Sequence, residues 1–227
     1  SITTVGNTVA VGASALQNNT SGTGNTGIGY NVLVSNTTGS YNTACGRQAL
    51  DANTTASRNP AVGFEALSAN TTGDNNTAVG SQSLVSNTSG GFNTAVGRVS
   101  LDANTTGAAN VAIGDGALGA NTTANDNTAI GVAALENNTT GAANSACGRY
   151  ALNANTTANN NTALGYASLL SNTTGTENVA IGAFALQTNT TVSNNTAVGY
   201  TALGLNTTGN ENVAVGSFAL DANTTAR

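Results

Sequence analysis

Apolar and polar positions along this chain recur in one pattern that repeats every 17 residues without slippage. The clearest marker is a glycine that follows an aliphatic residue or a cysteine: Gly12, Gly29, Gly46, Gly63, Gly80, Gly97, Gly114, Gly131, Gly148, Gly165, Gly182, Gly199 and Gly216. With this glycine as position 5, the unit reads N-T-A-V-G-x-x-A-L-x-x-N-T-T-G-x-x. Position 9 is always leucine: Leu16, Leu33, Leu50, Leu67, Leu84, Leu101, Leu118, Leu135, Leu152, Leu169, Leu186, Leu203 and Leu220. Position 12 is always asparagine: Asn19, Asn36, Asn53, Asn70, Asn87, Asn104, Asn121, Asn138, Asn155, Asn172, Asn189, Asn206 and Asn223. Position 13 is always threonine, position 1 is Asn in every copy after Thr8, and position 3 is Ala except at Gly27. Position 4 is Val, Ile, Leu or Cys.

A fixed period means that each unit stacks on near-identical neighbours and gains its stability from them. A unit this short cannot hold a helix pair, which needs upwards of about 30 residues, but it suits one coil of a solenoid. Its glycine, β-branched residues and N-T-T-G turn signal also argue against helix. The expected fold is all-β: an uncapped parallel β-solenoid (β-roll) of thirteen 17-residue coils, with residues 1–227 as a single repeat domain. Strands are expected at positions 1–4 and 7–9, with turns at the position-5 glycine and at N-T-T-G. Coils stacked about 4.8 Å apart place each residue over its counterpart. Asn at positions 1 and 12 and Thr at position 13 are therefore expected to form hydrogen-bonded ladders. The position-4 aliphatic and the position-9 leucine are expected inside, each buried leucine contributing about 1.5–3 kcal/mol. The small residues at positions 3 and 8 are expected to face outward and let another subunit approach. The alternation of faces also accommodates the reverse, with alanine inward and leucine outward against partner chains.

Composition narrows the function. Only 7% of residues are charged and 4% aromatic, and there is no His, Lys, Met or Trp. A chain so poor in large side chains forms a thin interior around a regular backbone scaffold. The net charge is −5 and the five arginines are dispersed, which argues against nucleic acid as a partner. No apolar run approaches the ~20 residues of a membrane span, so no membrane insertion is expected. Without histidine, and with both cysteines in an aliphatic column, no nucleophilic triad or Cys/His zinc site can be assembled. No acidic pair recurs at a spacing suited to acid–base work. The expectation is a protein that is not an enzyme and has no cofactor or metal.

Four features carry candidate chemistry. Cys45 and Cys147 occupy position 4, six coils apart; at roughly 29 Å they cannot bond within one chain and are expected as buried aliphatic substitutes. The sequon at position 12 is expected to serve as a turn and ladder rather than as a glycan acceptor. Threonine richness raises ice binding, but adjacent threonines at positions 13 and 14 face opposite sides of an extended segment. The position-2 column is also interrupted by Val, Ser and Pro. The aromatics lie at positions 6, 7 and 17. Tyr30, Phe64, Tyr150, Tyr166, Phe184, Tyr200 and Phe218 form a possible contact edge, to which Arg47, Arg98 and Arg149 also belong. Asp51 and Asp102 are placed for local ion pairs with two of these arginines.

The N-T-A-V-G-x-x-A-L motif resembles the head repeats of trimeric autotransporter adhesins. Their N-S-V-A-I-G-type motif builds a left-handed parallel β-roll in a trimer. It is also similar to the N-T-A-x-G-x-x-A-L-x-x-N-T-T-G arrays of phage tail fibres and bacterial surface proteins. The segments Asn110-Val111-Ala112-Ile113-Gly114 and Asn178-Val179-Ala180-Ile181-Gly182 carry the likeness best. The N-T-T-G stretch makes this coil longer than the adhesin head coil. The resemblance implies an extracellular or cell- or virion-surface shaft, a homotrimer. The array also starts and stops within the same turn of the coil, from which either end-to-end polymerisation or a place as a segment of a longer fibre is expected, polymerisation being the favoured reading. The partner is thus expected to be the chain itself, with a host-surface glycan or receptor as the alternative for an adhesin.

Overall fold

The computed structural model describes residues 6–225. Ile2-Thr3-Thr4-Val5 and Ala226, which enter the expectation of meeting ends, lie outside the described residues. The fold is all-β and is a parallel β-solenoid with one coil per 17-residue repeat. Each coil contributes one three-residue strand from positions 2–4. The strands are β1 (Val9–Val11), β2 (Thr26–Ile28), β3 (Thr43–Cys45), β4 (Pro60–Val62), β5 (Thr77–Val79), β6 (Thr94–Val96), β7 (Val111–Ile113), β8 (Thr128–Ile130), β9 (Ser145–Cys147), β10 (Thr162–Leu164), β11 (Val179–Ile181), β12 (Thr196–Val198) and β13 (Val213–Val215).

The chain divides into two compact units, Ser1–Ala112 and Ile113–Arg227. In the first, β1 to β6 pair in chain order, parallel and in exact repeat register: Ala10 pairs with Gly27, and Ala78 with Ala95. In the second, β8 to β13 do the same, with Ala146 opposite Ala163 and Ala197 opposite Ala214. Pro60 is the first residue of β4 and lacks the N–H that its equivalents Thr43 and Thr77 donate to the next coil, at Asn59 O and Asn93 O.

The expected second strand at positions 7–9 is absent. That stretch is a turn in which positions 7 and 9 both adopt left-handed backbone, as in Gln48 (φ 57°) and Leu50 (φ 52°). Leucine in this conformation costs about 1–2 kcal/mol, which burial of its side chain offsets. The alternation of hand also turns successive peptide groups in opposite directions along the stack. In the first unit Gln48 N–H donates backward to Tyr30 O (2.9 Å), while Leu50 N–H donates forward to Ala66 O (3.1 Å).

The expected interior is corrected at three columns. Leucine at position 9 is inside, fully buried from Leu33 to Leu203, but it is joined there by the small residues of positions 3 and 8, not by the aliphatic of position 4. Ala44, Ala78 and Ala129 at position 3, and Ala49 and Ala134 at position 8, are fully buried. Position 4 sits on the opposite side of the strand from position 3 and faces out, as Ile28, Val79 and Leu164 show. A strand must place positions 2 and 4 on one side, and position 3, packed against the buried leucines, holds only alanine or glycine. Gly27 illustrates how tight this is: a methyl there would lie 3.1 Å from Val32 Cγ1 and 3.4 Å from Leu16 Cδ1. That coil carries valine at position 8, where others carry Ala or Ser, and it fills the room left by the missing methyl. Leu220, in the last described coil, is half exposed.

The position-5 glycine is required on two counts. Its φ lies near +140°, as in Gly46 and Gly63, and a Cβ on Gly46 would fall on the Gly63 carbonyl of the next coil.

Candidate functional site

Two asparagine ladders run inside the coils. At position 12, Asn36 Nδ2 donates to Asn19 Oδ1 (2.8 Å) and to Gly39 O within its own coil (3.0 Å). At position 1, Asn25 Nδ2 reaches the same Gly39 O (2.8 Å), and Asn25 Oδ1 accepts the Asn42 backbone N–H (2.9 Å). One carbonyl at position 15 thus accepts from both asparagines and ties the beginning of the coil to its last corner. The second unit repeats the arrangement: Asn155 Nδ2 donates to Asn138 Oδ1 (2.8 Å), and Asn144 and Asn155 both donate to Ala158 O. The position-12 side chains from Asn36 to Asn206 are fully buried. In the folded coil their amides face inward and hydrogen-bond from coil to coil. Position 13 adds a third row at the wall, Thr37 Oγ1 donating to Thr54 O (3.0 Å) and Thr139 Oγ1 to Thr156 O (2.9 Å). These hydroxyls are engaged within the protein.

The outward side of the strands carries only Val, Ile, Leu, Cys, Thr, Ser and Pro at positions 2 and 4. All fifteen charged residues lie in other columns. Cys45 and Cys147 stand on this outward side and are exposed, which corrects their expected burial: the whole column faces out, and they go with it. In the second unit, the small Ser145 and Cys147 leave a shallow apolar hollow of about 200 Å³, bordered by Thr128, Thr162 and Leu164.

The contact-edge residues separate into two sets. In the first unit Tyr30 (52% exposed) and Phe64 stand on the edge, and Arg47 lies over the Phe64 ring at 5.5 Å. In the second unit five rings from consecutive coils form one continuous strip. Tyr150–Tyr166, Tyr166–Phe184, Phe184–Tyr200 and Tyr200–Phe218 have centroid distances of 6.3, 5.3, 6.0 and 5.3 Å. Successive rings meet edge to face, at 70–85°. Arg149 closes one end, 4.6 Å from the Tyr150 centroid, and donates from its guanidinium to the Tyr150 hydroxyl (2.9 Å). The signal for this strip was present in the spacing, which alternates between 16 and 18 residues from Tyr150 to Phe218, but it has meaning only once positions 6 and 7 are known to share a corner.

Asp51 and Asp102, at position 10, are half-buried. Desolvation raises both carboxyls above the ordinary aspartate value, and for Asp102 the nearby Arg98 charge opposes the rise. Arg47 is aimed at Phe64. Among the described residues no group of three or more His, Cys, Asp or Glu side chains could hold a metal ion, and no helix is long and apolar enough to cross a membrane.

These features define the chain as a tandem-repeat parallel β-solenoid with asparagine ladders inside and no charge on the outward side of its strands. No family model, curated protein or solved structure matches it.

Proposed function

We propose that the chain is a structural segment of an extracellular fibre, on a cell or virion surface, with the role of a stiff self-associating spacer rather than a catalyst. The observation that carries this reading is the pair of buried asparagine ladders. They join each coil to the next by side-chain as well as backbone hydrogen bonds, so identical coils can be added without any new kind of contact. Buried amides satisfied in this way rigidify and specify a single register. The resemblance to phage-fibre and adhesin-head repeats favours the same reading and a homotrimeric assembly.

The charge-free outward side of the strands is the surface this reading assigns to contact between copies. Exposed aliphatic residues repeated at every coil fit a second surface of the same period. Sedimentation and electron microscopy test the proposal: a stable oligomer or an elongated fibre is expected. Val79→Asp with Ile130→Asp, one charge on the outward side of each unit, should dissociate it. A monodisperse monomer at micromolar concentration would overturn self-association, and an oligomer indifferent to both charges would move the interface elsewhere.

A further inference from the structure

The aromatic strip of the second unit has an organisation that the spacer role does not require. Each of five consecutive coils places one ring on it, and the rings alternate strictly between position 7 (Tyr150, Phe184, Phe218) and position 6 (Tyr166, Tyr200). Opposite each of the last four rings the other column holds a small residue: Ala167, Ala183, Thr201 and Ser217. Rings in a single column would stack flat at the coil spacing of about 4.8 Å. The alternation opens them into the edge-to-face arrangement that aromatic quadrupoles favour. Its consequence is that rings of one column recur every second coil, about 9.6 Å apart. Neighbouring rings are turned by 70–85°. Tyr166, Tyr200 and Phe218 are 46%, 48% and 55% exposed.

We propose that this strip binds an extended β-1,4-linked neutral polysaccharide lying along the stack, one sugar per coil. In such a chain each link turns the next pyranose by half a revolution, so the same face recurs at every second residue. This is the two-coil period of the rings. The apolar C–H faces of pyranoses suit aromatic surfaces, and the Tyr166 and Tyr200 hydroxyls add polar contacts at the rim. The only charge on positions 6 and 7 from Arg149 to Phe218 is Arg149 itself, and its guanidinium is held over Tyr150; the strip therefore suits a neutral ligand. Its shape also favours a linear ligand over a protein: one ring wide and about 19 Å long over four coil steps, it falls well short of the ~800 Å² per partner of a stable protein interface. Binding here is independent of the spacer reading, which rests on the internal ladders and the outward strand side.

Calorimetric titration of the 227-residue chain with cellohexaose, the fully N-acetylated chitohexaose and maltohexaose tests the proposal. At least one of the two β-1,4-linked hexasaccharides should bind, and the α-1,4-linked maltohexaose at least about tenfold more weakly. Tyr166→Ala and Tyr200→Ala should each weaken binding by about tenfold or more, while Tyr30→Ala, in the first unit, should leave it unchanged. Circular dichroism monitors the fold. If the alanine variants lose it, Ala183→Glu keeps every ring but fills a gap between them, and should abolish binding. Absence of binding to both β-1,4 ligands, equal binding of maltohexaose, or binding indifferent to Tyr166, Tyr200 and Ala183 would each overturn the inference. None of these outcomes bears on whether the chain assembles.

Discussion

Two corners of the same repeat, one in each unit, show how closely the asparagine ladder depends on the residue beside it. At the Asn36 corner position 15 is Gly39, and Asn53 Nδ2 donates to Asn36 Oδ1 at 2.7 Å. At the Asn189 corner position 15 is Val192, and Asn189 Oδ1 is buried without a hydrogen-bond partner; Asn206 Nδ2 donates only to Gly209 O (2.8 Å). Intermediate cases fall between them. Next to Gly22, Gly73, Gly90, Gly141 and Gly175 the ladder bonds measure 2.8–3.0 Å. Next to Ala56, Ala124 and Ala158 they lengthen to 3.1–3.2 Å. The cause is geometric. A Cβ on Gly39 would fall on the Ala56 carbonyl oxygen and lie 2.5 Å from Asn36 Oδ1 and 2.9 Å from Asn53 Nδ2, against both bonded amides. One methyl stretches the bond, and an isopropyl group separates the amides.

The strongest way to break the intact corner is to remove an amide. Asn87→Leu should deprive Asn70 Oδ1 of its donor and Asn104 Nδ2 of its acceptor and cost about 3 kcal/mol, since each buried polar group left unsatisfied costs about 1–3 kcal/mol. The shift of the urea midpoint measures it, and a loss below about 1 kcal/mol would mean that the ladder contributes little. Gly39→Val should convert the tight corner into the open one at a cost of about 2 kcal/mol, combining a lost buried bond with overpacking. The reciprocal Val192→Ala should change stability by less than about 1 kcal/mol, because lost burial offsets the regained bond. Its readout is exchange of the Asn206 side-chain amide, which should slow; unchanged exchange would refute the steric explanation.

The smallest effect contrasts buried amides that have partners with a half-buried carboxylate that burial disfavours. Desolvation, the largest influence on Asp51, raises its pKa in the folded state, with Glu65 adding to the rise. The folded protein therefore holds this proton more tightly than the unfolded chain does. Stability falls as pH rises from the ordinary aspartate value through the raised one and stays lower above it. Asp51→Asn should remove that slope and slightly raise stability at neutral pH. An unchanged profile of urea midpoint against pH would show that solvent screens this group fully.

Much of this architecture is legible in the sequence because a fixed period forces like over like. Coil length, the leucine column and the asparagine ladders follow from columns that do not vary. The facing of position 4 does not follow, since alternation states that positions 3 and 4 oppose each other but not which of them is inside. Nor does the turn at positions 7–9, because leucine carries no signal for left-handed backbone. The seven edge aromatics could be found by inspection; that only Tyr150 to Phe218 form a continuous strip depends on the corner that positions 6 and 7 share.

By itself, then, the sequence determined the repeat, its stacking in register, and which polar side chains meet their own copies, because translation by one coil carries each residue onto its equivalent. Only the tertiary structure decided which column is core and which is surface. That choice depends on the width between opposing walls, set by the turns at Gly46 and Leu50 and their equivalents. Within those walls the alanines of position 3 pack beside the buried leucines, and position 4, both cysteines included, is left on the outside.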